Sequence, residues 1–217
     1  MKVYPIFLND LAGRKCVVIG GNHEAARKVV DLLSCDASVT VITPDPSDSL
    51  IQLSKDGRVD WIDRKYRAGD LSQAFIVIVS EPHLEDVDAI WQEGNEERAL
   101  INVMDDVPHC SFVAGSVVRQ GQLTVSISTS GAAPALAVRL RQRLESMFDQ
   151  EYASFLDVMG GLRETMATRF PDFEERRKCW YELVDSDILR LVGAGKSAEA
   201  NQLLHDIVGE HLPMQFR

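Results

Sequence analysis

The stretch "KCVVIGGNHEAARKVVDLL", Lys15 to Leu33, decides how this chain is read. Lys15 to Ile19 is a short, β-branched, nearly continuous apolar run, the pattern of a parallel strand covered on both faces. It breaks at Gly20-Gly21, and Ala25, Ala26, Val29, Val30, Leu32 and Leu33 then follow at helical spacing. A second strand is expected over "SVTVITP", Ser38 to Pro44, ended by Pro44, Asp45 and Pro46. Strand, helix and strand thus fall within about 30 residues, the length of a βαβ unit.

Working outward, the alternation continues. A helix is expected around Ser47 to Lys55, strands at Val59 to Ile62 and Ala74 to Ser80, a helix from about Leu84 to Arg98, and a strand at Leu100 to Asp106. This pattern predicts the α/β class with a Rossmann-like parallel sheet. Two strands, Phe112 to Val118 and Leu123 to Ser128, are then expected to join through a hairpin-like turn at Gln120-Gly121-Gln122. Pro134 suits the first turn of an amphipathic helix carrying Arg139, Arg141 and Arg143, and the signal is helical from Tyr152 onward. The expected organisation is a dinucleotide-binding domain over residues 1–110, a small region of strands and helix over 111–150, and a helical domain over 151–217.

With 217 residues, 45% of them hydrophobic, the chain can bury a substantial core. Its net charge of -10 excludes a surface devoted to nucleic acid. Cys16, Cys35, Cys110 and Cys179 are scattered without a Cys-x-x-Cys pair, which suits a reducing compartment and buried, inert thiols. "MKVYPIFLNDLAGRK" lacks a secretory pattern, and no apolar run approaches the roughly 20 residues of a membrane span. A cytoplasmic protein with neither nucleic acid nor membrane as partner is expected.

In a Rossmann turn the first glycine permits the bend, the second lets backbone approach a diphosphate, and the third allows close helix packing. Gly20, Asn22 and Ala25 hold these places, with Gly21 between the first two. Asparagine reaches positive φ more readily than most residues, and its amide offers a donor to a phosphate oxygen. His23 follows in the same turn as a further cofactor candidate, and the helix N-terminus beyond the glycines offers an anion site. Asp45 stands where an acidic residue caps ribose hydroxyls; its alternative role is that of a turn residue between prolines.

Four segments, "YPIFLNDLAGRKCVVIGGNHEAARKVVDLL", "INVMDDVPHCSF", "GQLTVSISTSGAAPALAVRLRQRLE" and "ERRKCWYELVDSDIL", together resemble the precorrin-2 dehydrogenase family, the dehydrogenase and chelatase module of siroheme synthases. The resemblance implies a homodimer that uses NAD to oxidise precorrin-2 to sirohydrochlorin, with ferrous iron a further substrate in some members. It also implies dimerisation through the central strands. The family's aspartate for oxidation, and for chelation where present, matches Asp105. Ser128 and Thr129 match its serine-rich loop as substrate-binding candidates, and Ser80 joins Gly20, Gly21, Asn22, His23 and Asp45 as a cofactor candidate.

Chemistry supports Asp105 independently, because a carboxylate at the carboxyl end of a central strand can take the proton that oxidation of a reduced macrocycle releases. The alternative is that Asp105 and Asp106 only end a strand and cap a turn. His109 is either a proton or iron handler beside Asp105 or a surface histidine after Pro108; His23 and His83 carry the same two readings. No dedicated metal-ligand spacing is present. A substrate with many carboxylates requires local positive potential on so acidic a chain, and Arg119, Arg139, Arg141 and Arg143 are the candidates, with solvent-facing decoration as the alternative.

Three places depart from the family pattern: Gly20-Gly21-Asn22 for a triple glycine, Ser80-Glu81-Pro82 for Ala-Thr-Asp, and Ala114-Gly115-Ser116 in the sixth strand. Glu81 opposes a dinucleotide if its carboxylate faces the phosphates. Three readings follow: an NAD-dependent dehydrogenase, a noncatalytic nucleotide or tetrapyrrole binder on the same scaffold, and a chelatase that has lost oxidation.

Overall fold

Five strands, β1 (Lys15–Ile19), β2 (Ser38–Ile42), β3 (Asp60–Ile62), β4 (Ile76–Val79) and β5 (Leu100–Val103), form one parallel sheet in the spatial order β3-β2-β1-β4-β5. This computed structural model describes residues 2–81, 86–209, 212–213 and 215–216, and the chain divides into two units, Lys2–Ala114 and Gly115–Arg217. His83 and Pro82, singled out above, and the expected helix start at Leu84 lie outside the described residues.

In Lys2–Ala114, side chains alternate between the two faces of the sheet and both faces are buried, which is why the strands read as continuous apolar runs. Cys16 and Val18 share one core with Val39, Val41, Ile76 and Ile78. Helix α1 (His23–Leu33) joins that core through Ala25, Ala26, Val29 and Leu32, and α2 (Asp48–Lys55) through Leu50. Val17 and Ile19 point the other way, into a core with Val77, Val79, Ile101 and Val103. Helix α3 (Val87–Glu96) closes it with Val87 and Ile90. Glu93 of α3 also fixes the loop before β4, its carboxylate accepting from the Gly69 and Leu71 backbone nitrogens at 3.0 and 2.6 Å and from the Tyr66 hydroxyl.

In Gly115–Arg217, β6 (Ser116–Gln120) and β7 (Leu123–Ile127) form an antiparallel hairpin closed by Gly121 and Gln122. The strand expected from Phe112 to Val118 begins four residues late for a definite reason. The backbone nitrogens of Ser111 and Phe112 both donate to Ile101 O, and Asn102 Nδ2 donates to Phe112 O at 3.1 Å, so this segment is tied back to β5 and cannot enter the hairpin. Helix α4 (Pro134–Glu145) starts at Pro134 as expected and buries only Ala137, leaving Leu136 and Val138 exposed. Helices α5 (Gln150–Gly161), α6 (Arg163–Arg169), α7 (Phe173–Asp185), α8 (Ile188–Gly193) and α9 (Ser197–Val208) bury Phe155, Leu162, Met166, Leu183, Ile188 and Leu204 in one core. Among the described residues, no helix is long and apolar enough to cross a membrane.

Candidate functional site

The strand order places β1 between β2 and β4, so the chain leaves the sheet in opposite directions on either side of β1. The crevice at their carboxyl ends is the switch point where open α/β sheets receive ligands. Gly20, Gly21 and Asn22 follow β1 there, Thr43 to Asp45 follow β2, Ser80 and Glu81 follow β4, and Asp105 follows β5.

The two glycines are required by space. Gly20 has φ +115°, and a Cβ on it would lie 2.2 Å from Ser80 Oγ; a Cβ on Gly21 would lie 1.9 Å from Asp45 O. The first turn is therefore packed against the turns after β2 and β4. Gly20 N donates to Ile42 O at 3.0 Å, and Ser47 N donates to Gly21 O at 2.8 Å.

Asn22 departs from the expected positive φ. Its φ is -71°, and it is the N-cap of α1, with Oδ1 accepting from Ala25 N at 2.9 Å. Its amide is not turned to an anion, because Nδ2 donates to Ser80 O at 3.1 Å. Glu81 does face the turn: Gly21 N donates to its Oε1 at 3.0 Å. The backbone nitrogens of His23 and Glu24, the first two of α1, make no hydrogen bond within the described chain.

Asp45 is exposed beyond the end of β2, its nitrogen donating to Thr43 Oγ1 at 3.2 Å. Ser80 is buried, with N and Oγ both directed to Ile19 O. Sequence reading missed Ser47. Its hydroxyl is the only buried side-chain nitrogen or oxygen without a partner among the described residues, and it sits beside the glycine turn through the Gly21 contact. The Ser-Asp pattern suited a helix cap, and nothing local marked the hydroxyl as unfilled.

Asp105 stands exposed on the same sheet edge in the left-handed region, φ 58°, one residue after Met104, whose nitrogen donates to Val79 O at 2.9 Å. Asp106 turns instead to His109, Oδ2 to Nδ1 at 2.8 Å, and His109 Nε2 meets Asp88 Oδ1 at 3.0 Å. The Asp106 carboxylate, with help from Asp88, raises the imidazole above the usual histidine range. Both ring nitrogens of His109 are engaged, and its ring meets Trp91 edge-on. Among the described residues, no group of three or more His, Cys, Asp and Glu side chains is arranged to hold a metal ion.

The substrate candidates belong to Gly115–Arg217. Ser128 Oγ accepts from Ser130 N at 3.1 Å and Thr129 Oγ1 from Ala133 N at 3.2 Å, so both hydroxyls shape the loop before α4. Arg119 is exposed on β6, and Arg139 is exposed on α4, donating to Gln142 Oε1 at 3.0 Å. Arg141 pairs with Glu145 one turn along the helix.

The crevice fits a dinucleotide in its strand–glycine–helix layout, in the two open nitrogens of α1 and in the unfilled Ser47 hydroxyl. Among the described residues, the Glu81 carboxylate on Gly21 N opposes the diphosphate. Comparison with known proteins bears on this layout. A family model described as "Putative NAD(P)-binding" matches residues 7–116, about half of the chain, and models for the sirohaem biosynthesis protein central region and the sirohaem synthase dimerisation region match 120–147 and 151–207. Siroheme synthase 1 of Serratia proteamaculans is 34% identical over 204 residues, covering 94% of this chain and 43% of the relative. Siroheme synthase of Pseudoalteromonas atlantica is 32% identical over 206 residues, covering 95% and 44%. The chain thus spans less than half the length of these curated relatives. In fold it is like a solved structure titled SirC, precorrin-2 dehydrogenase, with a TM-score of 0.77, 23% identity and coverage of 94% of this chain and 98% of that one. The chain belongs to the NAD(P)-binding family of siroheme synthase modules that these matches define, the family its quoted motifs resemble.

Proposed function

We propose that this chain oxidises precorrin-2 to sirohydrochlorin with NAD in siroheme biosynthesis. The observation that carries the reading is the position of Asp105, an exposed carboxylate on the sheet edge that also bears the glycine turn after β1 and Ser80 after β4. Bound at that turn, NAD supplies the hydride acceptor. Gly20 and Gly21 give its diphosphate close backbone approach, the His23 and Glu24 nitrogens meet its charge, and Asp45 receives the ribose hydroxyls rather than a further phosphate, which favours NAD over NADP. Asp105 takes the proton that leaves the macrocycle. Ser128, Thr129, Arg119 and Arg139 bind the substrate's carboxylates, and the chain works as a homodimer through Gly115–Arg217, in the cytoplasm.

Purified protein given NAD and precorrin-2 is expected to yield the sirohydrochlorin absorption spectrum together with NADH. A properly folded protein that gives neither at saturating NAD defeats this reading.

The Glu81 contact favours a second reading, a tetrapyrrole-binding or iron-inserting module without oxidation. Titration with NAD alone separates the two, since the second reading requires no binding.

A further inference from the structure

We propose that the Glu81 carboxylate is a built-in competitor for the diphosphate position and sets the affinity of this chain for nicotinamide dinucleotides. The inference rests on the dinucleotide reading above and adds a specificity-determining residue to it.

Glu81 Oε1 is 3.0 Å from Gly21 N and 3.2 Å from the place a Cβ of Gly20 would take. One carboxylate oxygen therefore lies against the side-chain-free face of Gly20, beside Ser80 Oγ, and uses the Gly21 nitrogen that a phosphate oxygen would use. Among the described residues Glu81 makes no ion pair, and its carboxylate accepts from Gly21 N.

The segment is also pinned there. Ser80 N donates to Ile19 O at 2.9 Å, and Asn22 Nδ2 holds Ser80 O at 3.1 Å, so the residue that replaces glycine in the turn anchors the backbone from which Glu81 reaches over it. Asn22 and Glu81 act as two parts of one device. A dinucleotide must displace the carboxylate, breaking a charge-assisted hydrogen bond, and must then tolerate a second negative group beside its own.

The test is a fluorescence titration of NADH into the unmodified protein, Glu81→Ala and Glu81→Gln, with the Gly21 amide followed by NMR in the unliganded proteins. Removing the side chain is expected to tighten NADH binding by about tenfold to a hundredfold, the size of one charge-assisted hydrogen bond. Glu81→Gln, which keeps an acceptor oxygen and loses the charge, is expected to fall between. The Gly21 amide resonance is expected to shift strongly in Glu81→Ala. Equal affinity of unmodified protein and Glu81→Ala, or weaker binding by the variant, overturns the inference and leaves the dinucleotide reading standing. Absence of NADH binding in every variant, each folded by circular dichroism, overturns the dinucleotide reading and this inference with it.

Discussion

The side-chain amide of Asn22 donates to the carbonyl of Ser80 at 3.1 Å while its oxygen caps α1 at Ala25, so one residue both starts the first helix and ties the turn after β1 to the turn after β4. Asn22→Ala removes both bonds and is expected to cost about 1–2 kcal/mol, read as a lowered urea midpoint. Asn22→Gly restores the common glycine and gives back part of the cap, so its loss is expected to be smaller than that of alanine.

Gly21 admits no side chain. Gly21→Ala drives a methyl into the backbone carbonyl of Asp45, which cannot swing aside as a side chain would. A loss of about 3 kcal/mol is expected by thermal unfolding, at the upper end of the cost of overpacking. A stable, unshifted variant would show that the turn is looser than this packing.

Asp105 adopts φ 58°, which asparagine tolerates and alanine does not. Asp105→Asn is therefore the clean chemical test. It is expected to keep the unmodified Tm and to lower kcat with precorrin-2 by at least about a hundredfold, the usual contribution of a general base. Asp105→Ala is expected to lose about 1 kcal/mol of stability as well, because its Cβ meets the same strain without a local polar contact. Full activity in Asp105→Asn would remove the residue from proton transfer.

His109 lies between Asp106 and Asp88, and Asp106 chiefly holds its protonated form. A native pKa above the unfolded value stabilises the fold fully below about pH 6.5, and that contribution is lost as pH rises through the higher native value. NMR titration is expected to place the His109 midpoint above 6.5, the ordinary histidine value, and Asp106→Asn is expected to bring it down and flatten stability across the same window.

Cys16 is fully buried in β1, and burial pushes its thiol up to about 11. Alkylation at neutral pH is expected to leave it unmodified in the folded protein and to reach it only as denaturant exposes the sheet, read by peptide mass spectrometry.

What the residues announced and what they concealed divide along local and distant interactions. The β1–α1–β2 unit was legible because apolar runs, a glycine pair and helical spacing all sit within one short stretch and agree. The onset of β6 was not, since the competing contacts of Ser111 and Phe112 with Ile101 depend on how the sheet is assembled. Asn22 read as a positive-φ turn residue with an amide for a phosphate because its position matched a glycine; that it caps a helix depends on the backbone being extended there. Glu81 was visible as an acidic residue in an awkward place. Its aim at Gly21, across 60 residues of sequence, was not.

The central place of β1 also orders events during synthesis. The strand is made before its partner β4, so its Cys16 must wait for Ile76, and β4 in turn pairs its Ile76 with Leu100. Until β4 is made, the apolar edge of β1 that will lie in the middle of the sheet stays open to solvent and to neighbouring nascent chains. Parallel pairings between distant segments form slowly for that reason, and the unit is expected to need chaperone protection longer than the local helices of Gly115–Arg217.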